Sequence, residues 1–129
     1  SVRSLVLDSK FNRPILLNNS LRYLNLGGCF DRSITLPDSL VELSFSGFAD
    51  FNQPILLPPN LRLVEFGDSF NQPVDLPASV VTAKFGVDFN QPLILPPNLK
   101  HIIFEGNFNQ PIDLPNSVTE ATFAGYFNQ

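Results

Sequence analysis

The stretch from Phe51 to Ser69, FNQPILLPPNLRLVEFGDS, decides how the rest of the chain is read. Its opening Phe-Asn-Gln-Pro returns at 70–73, 89–92 and 108–111 and begins again at Phe127-Asn128-Gln129. Looser copies stand at Phe11-Asn12-Arg13-Pro14 and Phe30-Asp31-Arg32-Ser33. The seven starts lie 19 residues apart, except for one gap of 21. A fixed period near 20 residues marks a solenoid, in which each unit packs only on its neighbours. The boundaries are a partial unit 1–10, units 11–29, 30–50, 51–69, 70–88, 89–107 and 108–126, and the start of another at 127–129.

The second half of the unit, Leu61-x-x-Val64-x-Phe66, has the apolar spacing of a leucine-rich repeat. It recurs from Val2-Leu5-Leu7 to Val118-Ala121-Phe123. Alternation in its last residues is the period of a strand with one buried face, so seven short parallel strands are predicted, in a sheet about 30 Å long. The return arm cannot be helical. Prolines occupy its fourth position (Pro14, Pro54, Pro73, Pro92, Pro111) and its eighth (Pro37, Pro58, Pro77, Pro96, Pro115), and Pro59 and Pro97 double the latter. Proline fixes φ and removes a donor, so the arm is read as turns and extended backbone. The expected fold is a mainly β solenoid with a helix-free convex side.

Equivalent positions stack in such an array. The opening phenylalanines and those closing the strands are expected to form two aromatic columns in the core. The asparagine after each opening Phe, with Asp31 the one substitute, is read as a ladder satisfying backbone groups at a buried turn, against the alternative of an exposed ladder contacting a ligand. Glycines after the strands are expected where φ is positive or backbones approach closely. The two extra residues fall within Ser46–Asp50 and carry Phe48, read as a binding feature against the alternative of an insertion that a loop simply tolerates.

A doubled period lies beneath the first. Units at Phe51 and Phe89 read P-[IL]-[LI]-L-P-P-N-L, and those at Phe70 and Phe108 read P-[VI]-D-L-P-x-S-V. The same alternation puts Arg22, Arg62 and Lys100 on every second strand, a basic stripe spaced about 10 Å on the open sheet face. Outward positions vary between units while inward ones do not. Tyr23, Glu42, Leu63, Glu65, Lys84, His101 and Ile103 centre a mixed surface suited to another protein.

Other classes find little support. A net charge of −4 over 129 residues gives no footprint for nucleic acid or an anionic membrane. One histidine and one cysteine, Cys29, propose no metal cluster or nucleophilic pair, and Asp75 and Asp113 are read as exposed polar tips rather than a catalytic dyad. No cofactor and no catalysis are expected. Asn18-Asn19-Ser20 matches a glycosylation acceptor, relevant only in a secreted protein. The compartment stays open, with cytoplasmic preferred, and the start at Ser1-Val2 reads as a piece of a longer chain. Apolar ends at Val2-Leu5-Leu7 and Phe123-Phe127 raise a second reading, a self-assembling structural component stacked end to end.

The Phe-Asn-Gln-Pro-Ile, Leu-Pro-x-Ser/Asn-Leu and Leu-x-x-Leu-x-Phe-Gly elements resemble the FNIP repeat family, a leucine-rich-repeat-like array abundant in social amoebae and giant DNA viruses. The resemblance covers nearly the whole chain. It implies an interaction module, and recruitment of substrates to a ubiquitin ligase where an F-box precedes the array. These units are shorter than is usual in that family, and no F-box is present among them. The Leu-Pro-Pro-Asn-Leu units also look like the short leucine-rich repeats of secreted bacterial effectors.

Overall fold

The computed structural model describes residues 2–125. Seven strands follow one another: β1 (Ser4–Val6), β2 (Tyr23–Leu26), β3 (Glu42–Phe45), β4 (Leu63–Glu65), β5 (Thr82–Phe85), β6 (His101–Phe104) and β7 (Glu120–Phe123). They form one parallel sheet in chain order. Register keeps equivalent residues opposite each other, as in Leu24↔Leu43 and Ala83↔Ile102. Across the described residues the molecule is the helix-free β-solenoid that the period predicts. No helix among the described residues is long and apolar enough to cross a membrane.

The Leu-x-x-Leu spacing has a local cause. Ahead of each strand from β2 to β7, two successive amides donate to a single carbonyl of the rung before, as with Val41 and Glu42 to Arg22, Val81 and Thr82 to Arg62, and Thr119 and Glu120 to Lys100. This bulge-like pairing inserts one residue into the strict alternation. Leu21 and Leu24 can therefore both face the core with two exposed residues between them. Downstream, the eighth-position proline opens a β-turn. The carbonyls of Pro37, Pro58, Pro77, Pro96 and Pro115 each accept the amide three residues on, at 3.1–3.2 Å. Asn18 takes the same role in the unit that lacks this proline.

The aromatic columns merge. Opening rings stack at 6.0–6.3 Å from rung to rung and closing rings at 5.3–5.7 Å, while Phe66–Phe70 and Phe104–Phe108 lie at 3.9 Å. From Phe45 to Phe104 each closing ring thus touches the opening ring of the next unit, and the two predicted columns form one continuous stack. The wider spacing of the rings farther from the sheet means the rungs fan outward, which places the sheet on the concave side. The buried core runs through the inner rungs, with Leu21, Leu43, Val64, Phe85 and Ile102 at 2% exposure or less. Phe127 and Asn128 lie outside the described residues.

Candidate functional site

Strand register sorts the expected site residues into two rows on the open face of the sheet. Tyr23, Glu42, Leu63 and His101 share one row, in which Tyr23↔Glu42↔Leu63 are direct neighbours and Thr82 separates Leu63 from His101. Glu65, Lys84 and Ile103 are consecutive in the other. All seven are exposed or half-buried, whereas the alternate positions are buried along β2 to β6.

The face is mixed in chemistry and only lightly paired. Lys84 Nζ lies 3.0 Å from Glu105 Oε1, and His101 Nδ1 lies 3.9 Å from Glu120 Oε1. Asn25 Nδ2 donates to Ser44 Oγ at 3.1 Å. Tyr23 is 46% exposed and presents the largest apolar body of its row. Arg22, Arg62 and Lys100 are exposed, but each sits one residue ahead of its strand, at the rim of the face rather than within its two rows. Arg3, on the rung next to Arg22, breaks their every-second-rung alternation. Among the described residues no group of three or more His, Cys, Asp or Glu could hold a metal ion.

The asparagine ladder forms, though in a setting other than expected. Asn12, Asn52 and Asn109 are exposed and Asn71 and Asn90 only half-buried, so the turn is not a buried one. The reason lies in the backbone: the ladder follows the outer flank of the arm, where the Phe ring alone turns inward. Each side-chain oxygen accepts the amide of the equivalent residue one rung on: Asn12 from Asp31, Asp31 from Asn52, Asn52 from Asn71, Asn71 from Asn90 and Asn90 from Asn109, at 2.8–3.0 Å.

Glutamine completes the ladder, a role the sequence reading did not assign. Nε2 of Gln72, Gln91 and Gln110 donates to both the carbonyl and the side-chain oxygen of the preceding unit's asparagine, and Gln53 does the same to Asp31. Arg32 Nε reaches the Asn12 carbonyl at 2.7 Å in its place. The signal was present: Gln and Arg are the residues found at this position, and what they share is a long side chain ending in a nitrogen donor.

A second exposed surface lies on the convex arm. The sixth position of successive units reads Leu16, Thr35, Leu56, Asp75, Ile94, Asp113. Leu16, Leu56 and Ile94 are 99%, 89% and 90% exposed. Phe48, in the inserted turn, is 90% exposed while Ala49 beside it is fully buried. The insertion keeps its rung bonds, since Asp50 donates to Gly28 O and Asp68 to Gly47 O. The extra length therefore displays Phe48 without breaking the array.

The FNIP Repeat family model matches residues 11–48, 51–88 and 89–126. Each matched span begins on an opening phenylalanine and covers two successive rungs, so its length coincides with the doubled period. Curated proteins offer no match to the chain.

Proposed function

The chain belongs to the FNIP repeat family, and from that premise we propose that it is a non-enzymatic interaction module holding another protein against the variable face of its sheet. One observation carries the reading. Inward positions repeat from rung to rung as an apolar column, while the outward rows directly above them change in size, polarity and charge at almost every step. A scaffold needs the first pattern, and the second supplies an individual recognition surface. Tyr23, Leu63 and Ile103 provide apolar anchors, and Glu42, Glu65, Lys84 and His101 surround them with polar groups, the arrangement of core and rim that protein interfaces use. Arg22, Arg62 and Lys100 add positive charge along the rim, where acidic groups of a partner would be steered.

The test is a comparison of partner capture by the native chain and by a Tyr23→Ser, Leu63→Ser, Ile103→Ser variant, with melting followed in parallel. Loss of the captured protein at an unchanged fold is the expected result. Retention of the same partner by a folded variant would move binding off this face.

A further inference from the structure

The convex row poses a problem that the sheet face does not solve. Leu16, Leu56 and Ile94 stand almost fully in solvent, two rungs apart, with Thr35 and Asp75 between them. Single exposed leucines are ordinary; what sets these apart is their recurrence at alternate rungs of one arm. A concavity of about 670 Å³ spans the three middle rungs of this line, walled by Leu56, Pro54 and Pro73 and edged by Thr35, Asp38 and Asp75. What covers such a row must match its spacing, place apolar groups at alternate rungs, and bring no carboxylate opposite Asp75.

We propose that a second copy of this chain covers it, the two arrays pairing back to back and antiparallel about a two-fold axis at Leu56. An identical array has the same rung spacing by construction, so every position falls in register. Turned end for end about Leu56, the row L-T-L-D-I is complementary to itself. Leu56 meets Leu56 of the second copy, Leu16 meets Ile94, and Thr35 meets Asp75, whose carboxylate accepts from the Thr35 hydroxyl. The adjoining ninth-position row agrees, since Pro59 meets Pro59 and Asp38 meets Ala78. The parallel alternative places Asp75 on Asp75 and Asp113 on Asp113, two like-charge contacts in a partly desolvated interface, and is disfavoured for that reason. Contacts of residue i with j and of j with i are what a two-fold interface requires.

Geometry permits the contact and limits its strength. Opening rings sit about half an ångström farther apart per rung than closing rings, so the convex side is only gently curved. Five rungs about 5–6 Å apart, on an arm about 17 Å wide, cover roughly 500 Å² on each copy, which places the pair at the lower edge of specific interfaces. The dimer is therefore concentration-dependent, with a dissociation constant in the micromolar range or weaker. This contact leaves the sheet face open and does not depend on what that face binds.

Sedimentation velocity on the full chain, from micromolar to near-millimolar concentration, reads the equilibrium directly. Leu56→Asp sets two carboxylates against each other at the axis and should weaken association at least about tenfold. Because Leu56 is 89% exposed, circular dichroism should show the fold unchanged. Cysteine pairing then reports the register. In a Cys29→Ser background, oxidised Leu56→Cys should crosslink with itself, Leu16→Cys should not, and a mixture of Leu16→Cys with Ile94→Cys should. A chain that stays monomeric at every concentration overturns the proposal. So does self-crosslinking by Leu16→Cys, which would reveal the parallel mode, or a dimer untouched by Leu56→Asp, which would point to end-to-end stacking.

Discussion

Asn71 shows what one recurring side chain does. Its amide donates to Asn52 Oδ1 at 2.8 Å, and its own Oδ1 accepts from the Asn90 amide at 2.9 Å and from Gln91 Nε2 at 3.2 Å. Only the oxygen is needed to continue the ladder, which is why Asp31 can stand in the same position and accept from Asn52 and Gln53. Asn71→Ala should cost about 1 kcal/mol, and Asn71→Asp clearly less, in denaturant titrations. Equal losses for the two would remove the acceptor argument. The serines of the arm give a second contrast. Ser79 Oγ donates to the Leu61 carbonyl, as Ser39 does to Leu21, whereas Ser117 Oγ is buried without a partner. Ser79→Ala should destabilise by about 1 kcal/mol, while Ser117→Ala should be neutral or stabilising, because it removes an unsatisfied buried hydroxyl.

At the scale of the rung, strands and arm differed in how far the sequence disclosed them. The strands were legible because Leu-x-x-Leu-x-Phe constrains both faces at once, and the register followed from the repeat. The convex row was not read, since Leu16, Leu56 and Ile94 look like core when each unit is taken alone. Asp75 and Asp113 held the answer: a position that carries an unpaired carboxylate in some rungs must face solvent in all of them. The glycines are explained chiefly by close approach. A Cβ at Gly86 would meet the Gly67 carbonyl, and one at Gly106 would lie 2.6 Å from the Val87 carbonyl, while only Gly125, at φ 80°, needs the left-handed region. Gly86→Ala should therefore cost about 1–3 kcal/mol through rung separation, measured as a drop in melting temperature. The aromatic stack makes a parallel case. Phe70 is fully buried between Phe51, Phe66 and Phe89, so Phe70→Ala should cost about 3–5 kcal/mol. Phe11 is half-buried and stacks on Phe30 at 6.3 Å, and the same truncation there should cost well under half as much.

For the molecule as a whole, strand-to-strand contacts run only between consecutive strands. Stability is then close to a sum of rung and interface contributions along one axis, with no strand among the described residues bridging distant rungs. A rung held on both sides must open by breaking two interfaces, and a terminal one by breaking a single interface. Burial follows the same gradient: Leu5 is half-buried in β1 and Ala121 exposed in β7, while Leu43, Val64, Ala83 and Ile102 are fully buried. Native-state hydrogen exchange should accordingly be graded, with the amides of β3 to β6 protected most and those joining β1 to β2 exchanging through local fraying. A truncation placed off centre sharpens the test. Ile102→Ala should accelerate exchange in β6 and β7 and leave β2 and β3 at their native rates. Uniform acceleration from β2 to β7 would show instead that the array opens as a single unit, and that the interfaces between rungs far outweigh the rungs themselves.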